Sequence, residues 1–188
     1  MSRAGYVLVG GRSSRMGRDK ALLPFRGGAL VESVAREVAA AAGSAVLVGN
    51  SARYARFGYA VIPDRYPGEG PLGGILTALA HTTAEWNLVV ACDMPALSAE
   101  LLRQILDAAA VQSAADALVP TGPAGLPEPL CAAYHRRACA ALERAFANGE
   151  RKITAAFSGM PVVLWPMAEM AQFQNVNTPE DWSGYVAE

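Results

Sequence analysis

Short apolar runs and longer amphipathic stretches take turns along this chain of 188 residues. Tyr6–Val9 is apolar and stops at glycine, which reads as a buried strand. Next, "GALVESVAREVAAAAG" sets Leu30, Val31, Val34, Ala35, Val38 and Ala42 at helical spacing, and Gly43 suits its C-terminal stop. "AVLVG" (45–49) and "YAVIPD" (59–64) read as further strands. In "GPLGGILTALAH" (70–81) proline falls just inside a helix start, a favoured position. "WNLVVACDMP" (86–95) is the most apolar strand and is expected to end at Asp93. Ser98 caps a helix over about 99–110, with Glu100 in its first turn. Strands at 116–120 and 129–134, a helix over 136–148 and a late edge strand at 160–166 follow, the last limited by proline. Thr178-Pro179-Glu180-Asp181 marks the capped start of a final helix.

This alternation predicts an α/β fold in three layers: a mostly parallel sheet with helices on both faces, in one Rossmann-like domain over 1–188. Ligands of such sheets bind beyond the carboxyl ends of the strands. The loops after Val9, Ile62, Ala91 and Pro120 are therefore the places to look for chemistry. Three of them hold polar residues of special kinds: Gly10 to Lys20, Asp64, and Asp93.

Composition sharpens this picture. At 52% hydrophobic and 18% charged residues, the chain can pack a core, so disorder is a poor reading. Its formal net charge of -1 argues against a general nucleic-acid binder. Yet Arg12, Arg15, Arg18 and Lys20 crowd into nine positions, and local charge points to a local anion. Cys92, Cys131 and Cys139 form no CxxC pair, which suits reduced core thiols in a cytoplasmic protein. His81 and His135 read as helix-end or strand-end residues. No apolar run approaches the ~18 residues of a membrane span, so no membrane partner is expected.

Two phosphate loops fail the test. Lys20 lies three residues after Gly17 and is followed by Ala21, so the Walker pattern is absent; so is GxGxxG. What remains is a strand, two glycines, a polar turn and a lysine. Glycines let backbone N–H groups approach a ligand, and a turn of such groups forms an anion-binding concavity. A solvated turn with incidental arginines is the competing reading.

"LVGGRSSRMGRDKALL" (8–23) resembles the signature loop of the molybdenum cofactor guanylyltransferases, the MobA family. The resemblance continues at "GPLGGI" (70–75), "CDMP" (92–95), "PEPLCAAYH" (127–135) and "NVNTPEDW" (175–182), and so covers nearly the whole chain. Val9 departs from it, standing where the family usually has alanine. The resemblance implies a nucleotidyltransferase that moves GMP from GTP to the phosphate of molybdopterin and releases pyrophosphate, with Mg²⁺ as cofactor. It implies catalytic roles for Lys20, Arg15 and Asp93, with Asp93 also the metal ligand. It sets Leu8, Val9, Gly10, Gly11, Lys20, Asn50, Asp64, Asp93, Asn175 and Asn177 around the bound molecules. Pro127 to Pro129 would shape the pterin side. Molybdenum cofactor insertion proteins or apo-molybdoenzymes are the implied protein partners.

The residues are consistent with that chemistry. A phosphate monoester is already mostly dianionic at neutral pH, its second pKa being ~6, so no strong base is needed. Asp93 at the end of an apolar strand suits Mg²⁺, which takes one or two carboxylates plus phosphates and waters. Asn175 and Asn177 flank Val176, and in an extended segment both amides fall on one side. Other readings stay open: a cytidylyltransferase on the same pterin, a transferase with another phosphorylated acceptor, a non-catalytic GTP binder, or a flavodoxin-like carrier. The last has no use for Lys20 or Asp93.

Overall fold

Seven strands form the central sheet in the order β5-β4-β1-β6-β8-β7-β9 in the computed structural model, which describes residues 1–10, 19–168 and 170–186. Along the chain these are β1 (Arg3–Val9), β4 (Val46–Gly49), β5 (Ala60–Ile62), β6 (Trp86–Ala91), β7 (Ala117–Thr121), β8 (Cys131–His135) and β9 (Val162–Pro166). The remaining two, β2 (Pro24–Phe25) and β3 (Gly28–Ala29), make a small hairpin apart from the sheet. β1 pairs in parallel with β4 and β6, β4 with β5, and β7 with β9; β8 alone runs against its neighbours β6 and β7. The mostly parallel sheet expected from the alternation is therefore present, and six strands deliver their carboxyl ends to one edge.

Period two sorts the sheet residues between two cores. Val7, Val9, Leu47, Leu88, Val90, Leu118 and Ala133 face one side, packed by helices α1 (Leu30–Ala42) and α4 (Ala99–Ala110). Tyr6, Val48, Val89, Ala117, Val119, Ala132 and Tyr134 face the other, under α3 (Pro71–His81) and α5 (Ala138–Ala147). Two short helices, α2 (Ser51–Tyr54) and α6 (Ile153–Ala156), and a final one, α7 (Pro179–Val186), complete the chain. Trp182 of α7 meets Phe25 of the hairpin at 5.7 Å between ring centroids, on the α1 and α4 side.

Caps and turns explain the boundaries. Gly43 ends α1 at φ 81 and donates its N–H to Ala39 O at 2.9 Å. Ser98 Oγ accepts from Leu101 N at 3.3 Å to start α4. Before α7, Thr178 Oγ1 accepts from Asp181 N at 3.1 Å, and Asp181 Oδ2 accepts from Thr178 N at 2.9 Å. His81 and His135 close α3 and β8, as their positions suggested.

Three of the boundaries that differ from expectation bear on the first loop and the strand ends. α1 begins at Leu30 because Gly28–Ala29 pair with Pro24–Phe25 across Arg26 (φ 49) and Gly27 (φ 79), a turn of two left-handed residues. β5 stops at Ile62, two residues before Asp64. β6 stops at Ala91, where Cys92 N donates to Leu8 O at 3.2 Å and the chain turns, so Asp93 stands on the turn beyond the strand.

Candidate active site

A cleft of about 1030 Å³ opens at the carboxyl ends of β1, β4, β5 and β6. Leu8, Val9 and Gly10 line it from β1, Asn50 from the end of β4, Asp64 from beyond β5, Asp93 from beyond β6 and Asn175 from the C-terminal segment. Lys20 enters from a 3₁₀ turn over Lys20–Leu22. Residues from 8 to 175 thus converge on one space because parallel strands all point their carboxyl ends at it. Gly11, Arg12, Arg15 and Arg18 lie outside the described residues.

Backbone geometry makes room at the floor of the cleft. Gly10 has φ +151 with open space where a Cβ would stand, so the first loop leaves β1 in a conformation that suits glycine. Gly49 is different: a Cβ there would lie 2.1 Å from Val9 O, since the two residues pair across β1 and β4. Gly49→Ala is therefore expected to push the two strand ends apart, at about 1–3 kcal/mol of stability. Chemical denaturation would check this, and an unchanged midpoint would contradict it.

The charged centre is a lysine between an aspartate and an asparagine. Lys20 Nζ donates to Asn177 Oδ1 at 2.8 Å and lies 3.7 Å from Asp93 Oδ2. Val176 N donates to Asp93 O at 2.8 Å, which ties the C-terminal segment to the turn after β6. Val176 itself is fully buried, so its neighbours turn the other way. Asn177 does not line the cleft wall but holds its lysine, whereas Asn175 does line it. Burial raises the Asp93 carboxyl above the usual carboxylate range, and the Lys20 ammonium opposes that shift. Ionised Asp93 is short of positive charge, and a cation there would favour it. Asn175 Oδ1 is buried with no hydrogen-bond partner among the described residues, a second oxygen ready to accept.

Two expected contacts are partly spent on local structure. Asn50 Oδ1 caps α2 by accepting from Arg53 N at 3.3 Å. Asp64 Oδ1 accepts from Tyr66 N at 2.9 Å and from Thr77 Oγ1 at 3.1 Å, holding the turn that leads into α3. Both residues still line the cleft.

Asp19 was quoted in the loop motif without a role, and it supports the lysine turn. Its Oδ1 accepts from Ala21 N at 3.2 Å, while Oδ2 accepts from Tyr54 Oη and Arg53 Nη1, both at 2.8 Å. The turn is thereby clamped to α2. An aspartate just before a short helical turn is a cap signal in the sequence; nothing in the sequence pairs it with Arg53 or Tyr54, some 34 residues on. Glu128 was also missed as an individual residue. Burial raises its carboxyl too, and the charge of Asp93 adds to the shift. Among the described residues no three His, Cys, Asp or Glu side chains gather as a metal cage. A single carboxylate beside bound phosphates is enough for Mg²⁺, and Asp93 with the orphaned Asn175 oxygen fits that need. No helix among the described residues is long and apolar enough to cross a membrane.

An open cleft at the strand ends of a mostly parallel sheet, with a lysine and a buried carboxylate at its centre, is the arrangement of a nucleotidyltransferase. Residues 5–162 match the family described as the MobA-like NTP transferase domain, and the chain belongs to that family. It is 36% identical over 194 residues to the molybdenum cofactor guanylyltransferase of Xanthomonas euvesicatoria pv. vesicatoria, covering 98% of this chain and 94% of that one. With the probable molybdenum cofactor guanylyltransferase of Deinococcus radiodurans it shares 34% identity over 175 residues, 93% of this chain and 89% of the relative. The crystal structure of molybdopterin-guanine dinucleotide biosynthesis protein A from Archaeoglobus fulgidus superposes with a TM-score of 0.82 at 31% identity, covering 97% and 96% of the two chains.

Proposed function

We propose that this protein transfers GMP from GTP to the phosphate of molybdopterin, with Mg²⁺, releasing pyrophosphate and forming the guanine dinucleotide. The observation that carries this reading is the Lys20–Asp93 pair at 3.7 Å in the strand-end cleft, a cleft that Asn175 also lines. Relatives named for this activity, over nearly the full chain, support the same substrates. Three free cysteines suit the cytoplasmic setting that reading assumes. The product would then pass to insertion proteins or apo-molybdoenzymes.

In the reaction an oxygen of the acceptor phosphate attacks the α-phosphorus of GTP, and the bond from that phosphorus to the pyrophosphate oxygen breaks. The nucleophile is already ionised, so the protein's task is to bring anions together and neutralise the charge that develops. Lys20 is held on its clamped turn, with its ammonium facing the space between Asp93 and Asn177, and would contact the triphosphate. Arg15 is assigned a second phosphate contact from its place in the loop motif. Asp93 and the Asn175 oxygen would hold Mg²⁺, and the ion would supply positive charge to the phosphates. Gly10 would leave room for the base above the first loop, with Asn50 and Asp64 on the nucleotide side of the cleft. Incubation of the protein with GTP, Mg²⁺ and molybdopterin, followed by identification of the dinucleotide and of pyrophosphate, tests the reading. Retention of GTP without pyrophosphate release would leave only a nucleotide binder.

Base choice follows from the same loop. Guanine has two rings and needs the space that a missing side chain leaves. Cytosine would leave buried donors and acceptors unpaired at ~1–3 kcal/mol each. We expect kcat/KM for GTP to exceed that for CTP by roughly tenfold to several thousandfold. A Gly11→Ala variant is expected to move the ratio toward CTP. Equal values in the parent protein, or a preference for CTP, would remove the guanylyl reading and leave only that of a nucleotidyltransferase.

A further inference from the structure

Beside the first cleft lies a second, of about 410 Å³, that no part of the nucleotide reading uses. Their walls are joined through Leu130, which accepts from Ala91 N at 2.8 Å on the side of the first cleft and donates to Glu128 Oε1 at 3.3 Å on the side of the second. Gln174 lines the second cleft and its neighbour Asn175 the first; Glu128 lines the second and Leu130 the first. The negative charge of Asp93 also reaches the Glu128 carboxyl. A molecule whose phosphate sits near Lys20 and Asp93 would extend its other end into this space.

The chemistry of the second cleft is narrow. Its walls are largely apolar, with Leu126, Pro127, Met170 and Phe173 among them. Phe173 is 4% exposed and fixed in the core, so that wall is rigid, whereas Leu126 is 72% exposed and leaves the mouth open. Glu128 is the one ionisable side chain among its described lining residues. The carboxyl is half-buried, and Oε1 takes a long bond, 3.3 Å, from Leu130 N. A carboxylate withdrawn from water needs donors. A flat heterocycle with adjacent amino and ring N–H groups supplies two in parallel, which is the geometry a carboxylate accepts best. Apolar side chains would cover its faces.

We propose that this second cleft seats the bicyclic ring of the acceptor and that Glu128 accepts hydrogen bonds from the amino and N–H edge of that ring. The assignment rests on the reading that the acceptor is a pterin phosphate. It makes Glu128 a specificity residue for the acceptor, with no part in holding GTP.

The test is steady-state kinetics of the full chain and its Glu128→Gln variant, varying molybdopterin and GTP in turn. Glutamine keeps the shape but presents an amide N–H₂ to the ring donors. KM for molybdopterin should rise about tenfold or more, while KM for GTP and the melting temperature stay at parental values. A free pterin lacking the phosphate should inhibit the parent competitively against molybdopterin and inhibit the variant much less. Should Glu128→Gln fold poorly, Ala124→Trp on the exposed rim of the same cleft should raise the acceptor KM alone. A change in acceptor KM below about threefold, or one shared equally with GTP, overturns the proposal. If the parent forms no dinucleotide, the pterin reading fails and this inference falls with it. If the parent turns over and both variants keep the acceptor KM, only the role of the second cleft is lost.

Discussion

Replacing Asp93 by asparagine is expected to lower kcat by about a thousandfold or more, equivalent to ~4 kcal/mol of transition-state stabilisation, and to leave the fold at least as stable. The loss follows from the removal of the central carboxylate of the cleft, on which Lys20 and the proposed Mg²⁺ site both depend. The retained stability follows from its surroundings. Burial holds the folded-state carboxyl above its ordinary range, so ionised Asp93 disfavours folding at neutral pH. A group with a raised folded pKa contributes stability below its unfolded pKa of ~4 and loses it as the pH rises through the folded value. Asparagine carries no such dependence. The variant's melting temperature should thus equal or exceed the parent's at pH 7, with the gap closing as the pH falls through the carboxylate range. Transfer within tenfold of the parent at saturating Mg²⁺ would show that Asp93 is not the essential ligand. A large fall in melting temperature would show that the residue serves the fold.

The second large effect is expected at Lys20. Lys20→Met should reduce kcat/KM for GTP by roughly a hundredfold to a thousandfold, the usual cost of one preorganised donor to a developing oxyanion. Its effect on stability should be small. The pair with Asp93 spans 3.7 Å between partly exposed side chains, and such pairs contribute up to ~1 kcal/mol. Arginine is not expected to rescue, because the clamped turn aims a slender ammonium into a space bounded by Asp93 at 3.7 Å and Asn177 at 2.8 Å, and a forked guanidinium does not fit that single bond. Arg18→Ala provides the comparison, since it carries the same charge in the same loop without matching the lysine position of the family motif. Comparable kinetic losses in the two variants would assign the effect to loop charge as a whole.

Much of this architecture was legible along the chain. Helices α3 and α4 fall where proline at the first turn and Ser98 at the cap put them, because those signals act within a few residues. The hairpin at 24–29 was not read, although Arg26-Gly27 lies at its turn. Two-residue strands have no periodicity to detect, and the following helix pattern absorbed Gly28 and Ala29. Asp64 and Asn50 were named for the cleft and do line it, yet their first hydrogen bonds go to their own neighbours. Short polar side chains at turns serve the backbone first.

The sequence by itself determined the alternation of strands and helices, the loops at the strand ends and the family, since each rests on local spacing or on contiguous motifs. Tertiary structure alone decided which loops meet. Asn177 reaches Lys20 across 157 positions, and Arg53 and Tyr54 reach Asp19 across 34 and 35, through contacts that no period or motif encodes. The antiparallel course of β8 was decided there as well, and with it the placement of Glu128 within reach of the charge of Asp93, because pairing between distant strands depends on how two cores close around the sheet.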